Sequence, residues 1–291
     1  MILVAGATGL LGGQIARQLL DDGKAVRILV RSGSTYDALV TAGAQPALGD
    51  LKDPDSLDAA IRGIDAVVTT ANAIGRSGVD NLESVDRQGN RNLIDAAAAA
   101  GVQQFVFVSA LGAATDHPMP PLRAKGDTEQ RLRASGMTWT VLQPNLYMDL
   151  WVPPVVGGPA LAGHPVTIVG DGKRQHSMVA VRDVASYAVA ALDHHEAHNQ
   201  TLYIGGPQPI SWLDVVAAFE KEMDQKLPVR TVSPGESIPG LPDIVSELAA
   251  ALAAYDSPLN ISELTRTYGV PPTTLADFVH DFVTTSRQPV G

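Results

Sequence analysis

Three glycines, Gly6, Gly9 and Gly12, recur at intervals of three directly behind the apolar run Ile2–Ala5. A glycine inside a helix costs about 1 kcal/mol relative to alanine, so a helix starting here must need those positions bare for another reason. A parallel strand that turns into a helix offers unpaired backbone N–H groups and the positive end of the helix dipole. Both suit a pyrophosphate, provided the backbone can come close. Gly6 then permits the tight turn, Gly9 the close approach and Gly12 the packing of helix on strand. A glycine-rich turn without a ligand is the plainer alternative, but a motif that follows a first strand and opens a helix favours dinucleotide binding. The second apolar run, "AVRILV", leads into Arg31. NAD-selective sites carry an acidic residue near this point for the ribose hydroxyl. A guanidinium instead suits a 2′-phosphate, which favours NADP(H) and leaves NAD(H) as the second choice; a solvated arginine is the alternative.

These residues need a scaffold, and the first half of the chain supplies its pattern. "ILVA", "AVRILV", "QPALGD", "IDAVVTT", "FVFVS" and "TWTVLQP" are six strand-like runs separated by helical patterns, several of which close on glycine. Such alternation indicates βαβ units and a buried parallel sheet, hence a doubly wound α/β fold of the Rossmann type. After Pro144 the rhythm breaks in "WVPPVVGGPALAGHP", a loop or broken helix. The strand-like runs "PVTIVG", "HSMVAV" and "TLYIG" follow, together with several helices. The expected division is a dinucleotide-binding domain over 1–145 and a smaller mixed α/β lobe over 146–291, with segments of the lobe returning to the sheet.

Composition narrows the functional classes. Among 291 residues, 21 are basic and 31 acidic, a net charge of −10 that argues against nonspecific attraction to nucleic acid or an anionic membrane. With 0 cysteines, thiolate catalysis and disulfides are impossible. No basic leader or bilayer-length apolar run is visible, so a cytoplasmic protein acting on a small molecule is expected, with a homodimer left open. The tract "DHHEAH" at 193–198 superficially suggests metal ligands, but it follows a helix and reads as a solvated loop, so no metal is expected.

Beyond the glycine motif, "LGDLKDP", "VVTTANA", "FVFVSALGA", "KGDTEQRLRASGMTWTVLQPNLYM" and "HSMVAVRDVA" together resemble the NmrA-like branch of the atypical short-chain dehydrogenases/reductases. The resemblance covers nearly the whole chain. It implies that Thr8, Leu10 and Leu11 join the glycines at the cofactor, that Asp50 and Leu51 contact the adenine end, and that Thr70, Ala71, Asn72 and Ala73 line its middle. Pro144, Asn145 and Leu146 would border the nicotinamide. The branch holds NADPH-dependent reductases of quinones and conjugated aromatic compounds, and members that sense redox state without turnover.

Short-chain reductases usually place a serine at the end of the fifth strand, then a tyrosine and, four residues later, a lysine. Ser109 occupies the strand end and Lys125 a plausible lysine position, but the residue four before it is Pro121. The phenolic proton donor is missing. Reducing an isolated ketone builds a localised alkoxide that needs a positioned acid, whereas a quinone or extended conjugated acceptor spreads the new charge itself. The departure therefore points to conjugated acceptors or to no catalysis. Lys125 could hold the nicotinamide ribose and favour anionic intermediates, or could be an exposed lysine paired with Glu129. Tyr147, Met148 and Trp151, with Met119 and Met178 placed nearby by the resemblance, could form a flat apolar substrate pocket or simply core. His176 could protonate a product or be a hydrogen-bonded structural residue. The leading reading is an NADP(H)-dependent oxidoreductase acting on a planar conjugated substrate. The alternatives are an NADP(H)-sensing regulator with a protein partner and an oxygenating enzyme of aromatic polyketide tailoring.

Overall fold

Each apolar run of the N-terminal half forms a strand, and a helical segment follows each. In the computed structural model, which describes residues 1–73, 78–238 and 243–287, β1 (Ile2–Ala5) leads to α1 (Leu10–Asp21), β2 (Val26–Val30) to α2 (Asp37–Thr41), and β3 (Gln45–Leu48) to α3 (Pro54–Ile61). After β4 (Ala66–Thr69), a π-helical turn, Leu82–Arg87, runs into α4 (Gln88–Ala99). Then come β5 (Gln104–Val108), α5 (Pro120–Arg133), β6 (Thr138–Pro144), α6 (Met148–Val152), α7 (Gly158–Leu161) and β7 (Val166–Val169). The order closes with α8 (Val181–Asp193), β8 (Gln200–Ile204), α9 (Trp212–Met223), β9 (Val229–Val232), α10 (Asp243–Leu252), α11 (Ser262–Tyr268) and α12 (Leu275–Arg287). Pro242, which the sequence pattern places at the start of α10, lies outside the described residues.

The chain forms two units. The first comprises Met1–Pro144, Arg182–Ile204 and Arg266–Val270; the second comprises Asn145–Val181, Gly205–Thr265 and the segment from Pro271 onward. The first contains a seven-stranded sheet in the order β3-β2-β1-β4-β5-β6-β8. Every pairing in it is parallel, so this is a Rossmann-like α/β fold. Strand order reverses beside β1, and the carboxyl ends of β1 and β4 at such a reversal are where doubly wound sheets open a ligand crevice. The seventh strand, β8, pairs with β6 from Thr140↔Gln200 to Pro144↔Ile204. The central strands β1, β4 and β5 are largely apolar because both faces are covered. Leu3, Val67, Phe105, Phe107 and Val141 pack with Leu57 and Ile61 of α3 and Leu93 and Ile94 of α4, all fully buried. Each such side chain contributes about 1.5–3 kcal/mol of burial.

The second unit has its own core, in which Val152, Val156, Val166, Val215, Phe219, Val279 and Val283 meet, and a short parallel pair, β7–β9. Ser211 and Asp214 cap α9 reciprocally, each side chain taking the other residue's backbone N–H. The run "HSMVAV" does not form a strand. Met178 N–H donates to His176 O at 2.8 Å, a three-residue turn that bends the run and leaves only the single bridges His176↔Ile210, His176↔Ser257 and Tyr147↔Val179. Among the described residues no helix is long and apolar enough to cross a membrane.

The start of α1 packs closely on the turn that follows β1. A Cβ on Gly12 would stand 2.2 Å from Gly6 O and 2.9 Å from Thr70 Oγ1. Gly12→Ala should therefore force the helix off the strand and destabilise the fold by about 1–3 kcal/mol, read as a lowered urea midpoint. An unchanged midpoint would show that the α1–β1 contact yields freely.

Candidate active site

The turn from β1 into α1 is built on backbone. Gly6 has φ +86°, a left-handed conformation, and a Cβ there would meet Thr70 Oγ1 at 2.5 Å. Its carbonyl accepts Gly9 N–H at 2.9 Å. Gly9 differs from its two partners: its backbone is extended, and a Cβ would meet only Gly6 O, at 3.3 Å. The fold itself therefore makes a weak demand for glycine at this position, and the open side is where a ligand would come close. Gly9 caps α1 without a side-chain hydrogen bond, and the first turn carries no acidic residue. Thr8, Gly9 and Leu10 are exposed, and Leu11 half-buried. This bare, positive helix end fits a pyrophosphate.

The chain leaving β4 runs beside it and is pinned from below. Ala73 N–H donates to Asp86 Oδ2 at 2.8 Å, and Asn90 Nδ2 donates to Ala71 O at 3.1 Å. Asn72 Nδ2 donates to Thr70 O at 3.2 Å. Asn90 Oδ1 also accepts the Thr69 hydroxyl at 3.1 Å, so one buried asparagine sets the course of Thr70–Ala73. Beyond β3, Asp50 takes Lys52 N–H on Oδ1 at 2.9 Å, and the buried Leu51 packs where Gly89 leaves room for it.

An open pocket of about 680 Å3 lies at the end of β2, lined by Arg31, Ser32, Gly33, Ser34 and Asp50 among others. At its edge Arg31 Nη1 and Lys52 Nζ each reach one carboxylate oxygen of Asp80 at 2.5 Å, and Lys52 lies 3.5 Å from Asp50. The hydrogen bond from Lys52, then that from Arg31, holds the Asp80 carboxyl down to about 2, and the hydrogen bond to Asp80, with Asp50 nearby, raises the Lys52 ammonium against desolvation. Sequence reasoning singles out Arg31 and Asp50 but passes over Lys52 and Asp80. The only signal for Lys52 is its place in "GDLKD"; Asp80 comes from a distant segment.

The carboxyl ends of β5 and β6 enclose a polar cluster. Lys125 is 7% exposed, which corrects the picture of a solvated helix lysine: α5 turns it inward. Its Nζ donates to Val108 O at 3.0 Å and lies 4.9 Å from the centre of the Phe107 ring. Burial lowers the ammonium's pKa, against the attraction of Asp86 and then Glu129. Burial raises the Asp86 carboxyl in turn, with Lys125 and the Ala73 N–H opposing. Glu129, also buried, does not pair directly with Lys125. Its Oε1 accepts Ser109 Oγ at 2.5 Å and Gln143 Nε2 at 2.9 Å, and its Oε2 accepts Arg133 at 2.8 Å. Ser109 thus spends its hydroxyl proton inside the fold. Pro121 lies in the first turn of α5, where its missing N–H costs nothing.

The remaining candidates divide between the units. Pro144, whose carbonyl accepts Leu111 N–H at 3.0 Å, and the half-buried Met119 belong to the first. In the second, Asn145 Nδ2 donates to Ser257 O at 2.7 Å, while Asn145 Oδ1 accepts Leu146 N–H at 2.8 Å. Met148 and Met178 are buried in the core of that unit, with Leu146 and Trp151 packed against it. Tyr147 is half-buried, and burial followed by the Asp149 carboxylate raises its phenol. Both ring nitrogens of the buried His176 are engaged, Nδ1 with Ser257 Oγ at 2.7 Å and Nε2 with Leu252 O at 3.2 Å. Burial lowers its pKa.

A glycine turn on a bare helix end at the sheet's reversal point defines a nucleotide-binding protein of the Rossmann class. Residues 6–195 match the profile of a family described as NAD(P)H-binding. Over 235 residues the chain is 34% identical to an NAD(P)H azoreductase of Xenophilus azovorans, covering 80% of this chain and 77% of that one. It is 32% identical over 232 residues to the photosystem II assembly factor Ycf39 of Cyanophora paradoxa, covering 79% and 71%. A solved NADPH-dependent quinone oxidoreductase of Escherichia coli, complexed with NADPH, shares the fold with a TM-score of 0.79 at 22% identity, over 97% of this chain and 100% of that one. The chain belongs to the NAD(P)H-binding family, in its NmrA-like branch of atypical short-chain dehydrogenases/reductases, and is an NAD(P)-dependent oxidoreductase.

The buried cluster generates a stability test. Lys125→Met keeps the apolar stem and removes the charge, leaving Asp86 and Glu129 buried without it. The loss should be about 3–5 kcal/mol near neutral pH. Burial raises Asp86 in the fold and Lys125 opposes that rise, so in the variant the folded chain takes up a proton there more readily than the unfolded chain does. That advantage is present at low pH and fades as pH rises, so the deficit of the variant should be smaller at about pH 5 than at about pH 8 in urea unfolding. A deficit independent of pH would remove Asp86 from the account.

Proposed function

We propose that the protein uses NADPH to reduce a planar conjugated acceptor of the quinone or azo class. The observation that carries the acceptor class is Pro121 in the first turn of α5, where a phenolic acid would otherwise stand four residues before Lys125. NADPH supplies a hydride when bound. The chain contributes the setting: Gly6, Gly9 and Gly12 with the amides of Leu10 and Leu11 take the pyrophosphate, Arg31 takes the 2′-phosphate, and Thr70–Ala73 hold the middle of the dinucleotide. Lys125 supplies positive potential at the end of β5, favouring an acceptor that becomes anionic before it is protonated by water. Such an acceptor delocalises its charge and needs no side-chain acid. The azoreductase relative supports this substrate class.

The decisive measurement is NADPH consumption with quinones, azo dyes and aliphatic ketones in parallel. Quinones or azo dyes should turn over and aliphatic ketones should react far more slowly; equal rates would reveal a general acid and defeat the mechanism. The similarity to a photosystem II assembly factor favours one second reading, a cofactor-binding protein that acts without turnover. Tight NADPH binding with no acceptor reduced would establish it.

Two variants test the cofactor geometry. Gly9→Val should retain the fold, since its Cβ meets little protein, yet lose NADPH binding; binding like the parent's would clear the turn of any ligand. Arg31→Ala should lower the preference for NADPH over NADH by on the order of 1.5–3 kcal/mol, measured as the ratio of dissociation constants. An unchanged ratio would return Arg31 to the solvated surface.

A further inference from the structure

We propose that His176, Ser257 and Asn145 form a proton-operated tie within the second unit. When the His176 ring takes up a second proton, the Ser257 hydroxyl is released from the ring and closes on the Asn145 side chain. The tie joins three separate stretches of the chain and is independent of the cofactor assignments above.

One hydroxyl hydrogen faces two acceptors. Ser257 Oγ lies 2.7 Å from His176 Nδ1 and 3.1 Å from Asn145 Oδ1. The Asn145 amide cannot be turned over, because Oδ1 accepts Leu146 N–H at 2.8 Å and Nδ2 donates to Ser257 O at 2.7 Å. His176 Nε2 faces Leu252 O at 3.2 Å, and a carbonyl only accepts, so Nε2 carries the hydrogen of the neutral ring. Nδ1 is then a lone pair on a residue only 1% exposed, and it needs the Ser257 hydrogen. Asn145 Oδ1 is left facing an oxygen with no hydrogen to give it. The other neutral tautomer fills both Ser257 contacts but sets the Nε2 lone pair against Leu252 O. Neither neutral ring fills all three contacts. The imidazolium does: Nε2–H donates to Leu252 O, Nδ1–H donates to Ser257 Oγ, and the Ser257 O–H turns to Asn145 Oδ1.

The surroundings make the second proton costly without forbidding it. Burial opposes it, the Leu252 carbonyl and then the Asp256 carboxylate favour it, and Arg174 opposes it. Asp256 and Arg174 are themselves paired at 3.2 Å. Tyr255 packs edge-on against the ring with 5.6 Å between centres, and burial raises its phenol, so it stays neutral. Asp214, at the start of α9, spends its carboxylate on Ser211 and Gln175. His176 is therefore neutral at ordinary pH, and the tie closes on acidification. Ser257 N–H donates to Gln175 O at 2.8 Å and His176 N–H to Ile210 O at 2.9 Å. The backbone thus holds both partners in place while the hydroxyl rotates.

The test is nuclear magnetic resonance of the full-length, isotope-labelled protein between about pH 8 and about pH 4.5. The His176 ring is identified by its through-space contact with the Tyr255 ring. At the upper end the ring should carry its hydrogen on Nε2 alone. On acidification Nδ1 should gain a proton with a midpoint below the usual histidine value of about 6.5, and the Leu146 amide resonance should move with the same midpoint. Ser257→Ala should weaken ring protonation about tenfold further and silence the Leu146 response, while Ser257→Thr, which keeps the hydroxyl, should restore it. The parent's own titration decides the matter even where a variant fails to fold. A hydrogen on Nδ1 at the upper end, a ring still neutral at about pH 4.5, or a Leu146 amide that ignores the ring's titration overturns the tie. A Leu146 response that survives in Ser257→Ala does the same.

Discussion

The carbonyl of Gly6 lies against the α-carbon of Gly12, and the organisation of the first unit's ligand-binding end depends on that approach. No side chain fits between them: a Cβ on Gly12 would stand 2.2 Å from Gly6 O. Pressing α1 onto β1 places the bare start of the helix at the reversal of strand order, beside the chain that leaves β4. Thr70 closes the third side of this contact, and Asn90 of α4 fixes the residues that follow it. The glycine turn and the adjoining wall are thus one packed object rather than two neighbouring loops. Glycine is required at positions 6 and 12 by the protein's own packing, whereas at position 9 the fold itself makes only a weak demand.

A second constraint is the buried charge around Lys125. An ammonium and two carboxylates within one unit are costly to desolvate, and they persist because each has partners. Lys125 donates to a strand carbonyl, Asp86 holds a loop amide, and Glu129 collects Ser109, Gln143 and Arg133. Among the described residues no buried side-chain nitrogen or oxygen lacks a partner. The network links α5 and the π-helical turn to the carboxyl ends of the strands, so the residue nearest in type to a catalytic lysine is also part of what holds the sheet end together. Ser109, engaged with Glu129, is in the same position.

Positive charge therefore stands at two places in the first unit, in different settings. At the end of β2 it is partly exposed and paired with the more enclosed carboxylate of Asp80. At the end of β5 it is enclosed, hydrogen-bonded to a strand carbonyl, with its pKa lowered by burial. The first setting suits recognition of a ligand's phosphate; the second suits a fixed potential that costs no reorganisation when charge develops nearby. No phenol stands at position 121, four residues before Lys125.

The sequence by itself determined the doubly wound class, because strand periodicity, glycine spacing and chain order are local properties, and its motifs taken together carried the resemblance to the family. Gly6, Gly9 and Gly12 could be assigned distinct parts from spacing alone, and the missing tyrosine was visible as Pro121. Only the tertiary structure decided what depends on residues far apart in the chain. Asp80 meets Arg31 from 49 positions away and Lys52 from 28, and no pattern along the chain links them. The i,i+4 spacing of Lys125 and Glu129 suggested a surface pair, yet both side chains turn inward, since helix periodicity sets which residues share a face but not which face the sheet will cover. The run "HSMVAV" had the composition of a strand, yet it turns between His176 and Met178 and makes only isolated bridges, and a strand's partners are not written in its composition.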